Sequence, residues 1–234
     1  MTTRTAFRAG FVEAVPVAIS FFFLFLAVGA VSASAGLGSM QATVMTILIF
    51  AAPAQLVIAE MVTHQNWWAA TFMTVVINFR FAVMAAALLP FFTSVPKGRL
   101  LAGLSMLSAS TFGVSFLKFR HEVEEKTDFK PFDYYLGVSA IAFSSAIVST
   151  AIGYHLATRI NASMSDIIKM ILPVYFTTML AKEWGKTKLL AAAGLGFVAT
   201  SVTEALIPNF GLIISALVVG TVLSRLDRQE ARNV

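Results

Sequence analysis

Eight stretches of this chain, roughly 11–35, 40–63, 67–92, 98–117, 133–157, 164–181, 187–205 and 208–225, run for about the length of a bilayer crossing with little interruption by charge. A crossing helix needs roughly 20 predominantly apolar residues. In lipid an unpaired amide finds no partner, so each stretch must satisfy its backbone internally, as a helix does. The composition agrees: 58% of residues are hydrophobic and 12% charged, where soluble domains carry roughly 25% charged residues. The expected fold is an all-α integral membrane protein of about eight transmembrane helices, a single transmembrane domain over residues 1–234.

Organisation and orientation follow from the charges. The one hydrophilic connection of any length, "KFRHEVEEKTDFKP" from Lys118 to Pro131, divides the chain into a first half at 1–117, a loop at 118–132 and a second half at 133–234. With eight spans, Arg4, Arg8, Lys118, Arg120, Lys126, Lys130, Lys182, Lys186, Lys188, Arg225, Arg228 and Arg232 fall on the N-terminal side, against Lys97, Arg99 and Arg159 opposite, with Lys169 in the first turns of a span there. Basic residues concentrate in cytoplasmic loops, so both termini are expected in the cytoplasm, with the basic surplus belonging to membrane topology and not to nucleic acid. The opening residues, with Arg4, Arg8, an apolar run and Ala33-Ser34-Ala35, imitate a secretory signal but read as the first transmembrane helix, since further spans follow.

The halves carry a faint repeat. One register sets Gly29 on Gly153 and Met40 on Met164, and each half has a proline in its next span, Pro53 and Pro173, with a tryptophan near the span end, Trp67 and Trp184. Transporters often bind substrate where such repeats meet, on helices interrupted by Gly or Pro. Two four-span halves with helices two and six interrupted are therefore expected.

Arg80 is the residue most in need of explanation. It lies about 20 Å along the third span, near mid-membrane, where an arginine costs at least roughly 2.5 kcal/mol. A guanidinium fork suits a carboxylate, so Arg80 is a candidate for an anionic substrate group as well as for structural bonds to neighbouring carbonyls. Asn78, two positions earlier, points some 200° away on an unbroken helix and is expected to bond a neighbouring helix. Pro53, in "FAAPAQLVIAE", is expected to free backbone groups in mid-span, with Gln55 beside the defect lining a site. Glu60 and Asp166 are the acids placed where they could carry protons, although Asp166 equally suits a helix N-terminus and Glu60 the aromatic interface at Trp67 and Trp68. Small pairs four apart, Gly29/Ala33 and Ala216/Gly220, read as helix contacts.

Other chemistry finds no support. The chain has no cysteine, and His64, His121 and His155 lack metal-ligand spacing, so no metal and no cofactor is expected. The serine clusters at 105–110 and 144–150 have no mid-span His or Asp beside them and read as helix-packing hydroxyls, so the chain is not expected to be an enzyme. No phosphate-binding glycine motif is present. Asn161-Ala-Ser is a lone glycosylation triplet.

At Phe50-Ala51-Ala52-Pro53-Ala54-Gln55 and Asn78-Phe79-Arg80-Phe81 the chain resembles the large subunit of the AzlC-type branched-chain amino acid exporters, the azaleucine-resistance family. Gly10 and Pro16, "YYLGV" at 134–138, Asp166 with Leu172-Pro173, and Gly211, Ala216 and Gly220 follow in the family's order. There are departures: Phe81 replaces a histidine, Ala54 a serine, and Ala109 and Ser110 stand where many members have an acidic pair. The resemblance implies an inner-membrane permease exporting valine, leucine, isoleucine, methionine or similar apolar amino acids, together with a small AzlD-type membrane subunit. Arg80 would receive the carboxylate, with Gln55, Pro53 and Asn78 about it. The rival readings are a passive channel for small solutes and a scaffold subunit without transport of its own.

Overall fold

A computed structural model describes residues 2–93, 95–124, 129–181, 187–206 and 211–230, and among these every regular element is helical. Lys126, Lys182, Trp184, Lys186 and Arg232, used in the charge and repeat arguments, lie outside the described residues. The chain forms two compact units, one of residues 1–65 and 70–172, the other of 66–69 and 173–234.

Two long tracks form the centre of the first unit. One is α1 (Thr3–Glu13) followed by α2 (Val15–Ser34), joined at Ala14 with Pro16 in the first turn of α2, where its missing N–H costs nothing. The other is α8 (Pro131–Arg159), unbroken for 29 residues. They run parallel and touch backbone to backbone at glycines. A Cβ on Gly10 would strike the Tyr134 carbonyl and one on Gly137 the Phe7 carbonyl; further along, one on Gly29 would strike the Thr150 carbonyl and one on Gly153 the Leu26 carbonyl. The last two contacts are reciprocal: the register that sets Gly29 on Gly153 also sets Leu26 on Thr150. The faint sequence repeat thus coincides with a local two-fold relation between α2 and α8. Without a hydrophobic force between helices in lipid, such close approach is what holds them.

Three described helices have the length and hydropathy to cross a membrane: Val15–Ser34, Trp67–Phe91 and Pro131–Arg159. Two of the eight candidate crossings, 40–63 and 98–117, are each divided into two helices. Residues 40–63 divide into α3 (Ser39–Leu48) and α4 (Ala52–Thr63). These are roughly 15 and 18 Å long, too short for a hydrocarbon core of about 30 Å. Along α3, Ser39 meets His155, Thr46 meets Thr150 and Phe50 meets Phe143, so α3 descends alongside α8 from its far end. Thr46 then touches Gln55 side chain to side chain, which nine residues of straight helix would separate by about 13.5 Å. The chain therefore doubles back. α5 (Trp67–Leu88) follows, capped by the Asn66 side chain accepting from the Ala69 N–H, and a 3-10 turn at Leu89–Phe91 leads to Phe92, which packs on Phe132 and Tyr135 at the first turn of α8.

Residues 98–117 double back likewise, as α6 (Lys97–Leu104) and α7 (Ala109–Glu124). Arg99 donates to Asp133 at 2.6 Å, the Tyr135 hydroxyl donates to the Gly103 carbonyl, and Lys118 lies 3.6 Å from Glu13, which in turn accepts from the Tyr134 hydroxyl at 2.6 Å. Arg99 and Lys118 are therefore both at the beginning of α8. This corrects their assignment to opposite sides: Arg4, Arg8, Lys97, Arg99, Lys118, Arg120 and Lys130 gather at one end of the first unit, with Arg159 at the other end of α8. Leu88, Phe92, Leu107, Phe119, Phe132, Tyr134 and Tyr135 form an aromatic-rich core at that end. Burial by itself would lower the Lys118 ammonium, but its bond to Glu122 and the charges of Glu13 and Glu122 outweigh this and hold it above the ordinary value of 10.5. A raised lysine stabilises fully below the ordinary value and loses its contribution only as pH rises through the folded one. Thermal stability in detergent should therefore show no loss from this tie between neutral pH and 10.5, whereas Lys118→Met should lower it uniformly over that range.

α9 (Ala162–Lys169) lies against α2 and α8 and closes the first unit. α10 (Ile171–Ala181) begins in the last two residues of the first unit and runs on in the second, where α11 (Thr187–Leu206) pairs with α12 (Gly211–Glu230). Thr203 donates to the Gly211 carbonyl, Thr200 meets Ser215 at 2.6 Å, and the Glu204 carboxylate accepts the Gly211 N–H at the start of α12, where the helix dipole favours an anion. Gly29 is a packing glycine as expected, whereas Gly220 meets nothing within 4 Å among the described residues.

Candidate functional site

The turn between α3 and α4 gathers the polar groups that a membrane interior must satisfy. α3 stops at Leu48, and Ile49 leaves the helical region at φ −124°, ψ 79°. The Ala51 N–H returns to the Ile49 carbonyl at 2.7 Å, a three-residue turn with Phe50 at its apex. Gln55, with no exposed surface, donates its side-chain amide to the same Ile49 carbonyl and receives the Thr46 hydroxyl on its carbonyl oxygen at 3.0 Å. Thr46 in turn lies 3.0 Å from the Thr150 hydroxyl of α8. Thr46 and Thr150 are equally buried. An uncharged amide and two hydroxyls thus form one chain across α3, α4 and α8.

Pro53 plays a different part from the one expected. The break precedes it, and Pro53 sits in the first turn of α4, where no intrahelical donor is needed. The freed acceptor is the Ile49 carbonyl, and Gln55 meets it. Ala51, at the head of α4, brings no side-chain cap to the first amides. Helix N-termini of this kind carry partial positive charge and favour anionic groups.

Asn78 and Arg80 face apart, as helical geometry requires, because α5 continues unbroken through both. Asn78 is half-buried, and its Oδ1 is enclosed without a donor, so the bond to a neighbouring helix expected for that oxygen is not made among the described residues. Arg80 is exposed, its guanidinium 4.9 Å from the centre of the Phe81 ring, and it has no carboxylate partner among the described residues. Phe81 therefore fills its position with an interaction of its own: a cation over an aromatic face gains about 0.5–1 kcal/mol at an exposed site. No described contact joins Arg80 to Gln55.

Glu60 is exposed near the end of α4. Asp166 is exposed and bonds Lys169 at 2.8 Å. The cap of α9 is Asn161, whose side chain accepts the Met164 N–H, so the capping role falls to the residue of the glycosylation triplet and not to Asp166. Ala109 and Ser110 open α7, whose first turn is secured by Ser108 and Thr111 bonding each other's backbone N–H. The hydroxyls of Ser105, Ser145 and Ser149 bond backbone carbonyls. No group of three His, Asp or Glu side chains suited to a metal occurs among the described residues.

Phe50, Thr46 and Thr150 were not foreseen. Threonine at mid-span carries no distinctive hydropathy, and only the fold-back of α3 on α4 sets Thr46 between Gln55 and Thr150. The "FAAPAQ" segment signalled the break itself.

A family model described as the AzlC protein matches residues 16–160, more than half of the chain. The chain belongs to the AzlC family. The matched range spans α2 through α8, and so contains the whole α3–α4 turn, Arg80 and both glycine crossings at Gly29 and Gly153. Comparison with curated proteins and with solved structures gives no significant match. Membership suggests a membrane permease-type role in amino acid transport.

Proposed function

We propose that this AzlC-family chain is the large subunit of a two-component permease that exports branched-chain or similar apolar amino acids across a bacterial inner membrane. Its termini would face the cytoplasm, and a small AzlD-type membrane subunit would complete it. The observation that carries this reading is the buried amide–hydroxyl chain of Gln55, Thr46 and Thr150 at a helix broken within the membrane. Interrupted helices supply backbone groups that solvent-filled cavities use to bind substrates. Arg80 keeps its assignment as the receptor of the substrate carboxylate, because its five donors have no acidic partner among the described residues. Concentration of Arg4, Arg8, Lys97, Arg99, Lys118, Arg120 and Lys130 at one end supports a cytoplasmic N-terminus.

The test is efflux of radiolabelled leucine or valine from vesicles holding both subunits. Arg80→Ala should reduce flux at least about tenfold, the loss of roughly 1.4 kcal/mol or more expected for a charge-assisted bond to a carboxylate, and Arg80→Lys should restore part of it. Full flux in a well-folded Arg80→Ala variant would remove Arg80 from the site. Omitting each subunit in turn separates transport by the pair from a scaffold role. A second reading, a passive channel, is favoured by one feature: the buried chain is made of uncharged groups, and the proposed proton carriers Glu60 and Asp166 are exposed. Flux that survives collapse of the proton gradient would favour the channel.

A further inference from the structure

The apex of the α3–α4 turn is occupied by an aromatic ring seated in an aromatic pocket. Phe50 is 5% exposed, with ring centres 5.6 Å from Phe21, 5.7 Å from Phe25 and 5.1 Å from Phe143. Phe143 lies twelve residues into α8, about 18 Å from its start, near the middle of a hydrocarbon core of about 30 Å. Thr150, which closes the polar chain, is roughly 10 Å further toward the far end. The ring therefore stands between the polar chain and the basic end of the unit. The seat is not a by-product of the repeat: the register that sets Gly29 on Gly153 places Ser145, Ser149 and Ile19 at the counterparts of Phe21, Phe25 and Phe143. Aromatic lining belongs to one face only.

From this geometry we infer that Phe50 is the gate of the transport path and Gln55 its latch. This deepens the permease reading and rests on it. The Ile49 carbonyl holds the apex turn through two donors, the Ala51 N–H and the Gln55 amide. A substrate carboxylate that, on its passage to or from Arg80, draws the Gln55 amide away leaves the turn one bond, and the Phe50 ring is then free to leave its seat. The polar site and the barrier are thereby coupled through a single carbonyl, over the short span from Ile49 to Gln55.

The chain has no cysteine, so access can be read from one introduced thiol. In a Thr46→Cys background, a membrane-impermeant thiol reagent is applied from each side of vesicles in turn. Adding Phe50→Ala should raise labelling from the side of the N-terminus at least about tenfold, equivalent to a shift of about 1.4 kcal/mol toward the open form, and leave labelling from the other side unchanged. Phe50→Leu, which keeps an apolar plug, should remain near the Thr46→Cys background, and Gln55→Met should raise labelling as Phe50→Ala does. Folding of each variant is checked by monodispersity in detergent. Unchanged labelling in folded Phe50→Ala, or an equal rise from both sides, overturns the gate. Because thiol access requires no substrate, these outcomes stand whether or not leucine proves to be transported; absence of leucine efflux from unsubstituted protein overturns the permease reading instead.

Discussion

Gly153→Val should yield essentially no folded protein. The added Cβ would overlap the Leu26 carbonyl and crowd the Leu26 Cα, both backbone atoms of α2 that no rotamer change can move. The helices would have to separate along the crossing that holds the first unit together. Overpacking a well-filled core typically costs up to about 3 kcal/mol and occasionally more. Obstruction by fixed backbone, at a contact repeated by Gly29 against Thr150, belongs at or above that upper figure, a large part of a typical stability of about 5–15 kcal/mol. The measurement is monodisperse yield and melting temperature in detergent. Gly153→Ala should already lower the melting point clearly, and Gly29→Ala should do the same by the reciprocal contact, whereas Gly98→Ala, with nothing within 4 Å of its added Cβ, should not. A Gly153→Val protein that melts normally would mean that α2 and α8 do not cross as described.

Gln55→Leu should abolish transport and destabilise the α3–α4 turn without dispersing the rest of the unit. Leucine is close in size, so the packing volume is kept, but the Ile49 carbonyl loses a donor and the Thr46 hydroxyl an acceptor. Each buried polar group left without a partner costs about 1–3 kcal/mol. Thr46 has a fallback in the Ala42 carbonyl at 3.2 Å, and the Ile49 carbonyl keeps the Ala51 N–H. The loss should therefore sit near the low end for each group, a few kcal/mol together. Amide exchange should accelerate at residues 46–55 and stay slow in α8. Gln55→Glu is the sharper variant, because an ionised carboxylate cannot donate to Ile49, and a buried charge is dearer still. Efflux of leucine that is unaffected by Gln55→Leu would leave this turn a structural feature only.

The two substitutions differ in what made them foreseeable. Gly29 was legible as a packing glycine and the faint repeat aligned it with Gly153, but that the two positions meet across α2 and α8 came from the packed structure. Gln55 was legible as a polar residue next to a proline, but its partners were not, since they come from a turn in the chain. Arg80 was legible as a charge deep in a span, and the unbroken α5 keeps it and Asn78 on different faces. Its exposure and its place over Phe81 required the packed structure. Asp166 shows the limit of local rules: a carboxylate early in a helix suggests a cap, but Asn161 already accepts the Met164 N–H, and Asp166 turns to Lys169.

By itself the sequence determined that these segments are helical and apolar enough to suit a membrane, that "FAAPAQ" marks a break, and that Gly29 is a packing glycine. These properties are sums over neighbouring residues: transfer free energy, propensity and side-chain size. Only the tertiary structure decided the direction of each segment. Hydropathy measures how well 40–63 and 98–117 tolerate lipid, and it is the same for a segment that crosses and for one that enters and returns. Reversal shows in contacts that hydropathy does not register, Thr46 to Gln55 in the first of these segments and Arg99 to Asp133 with Lys118 to Glu13 in the second. The buried ones among them, at Thr46 and Gln55, form because a polar group removed from water must find a partner wherever the fold offers one.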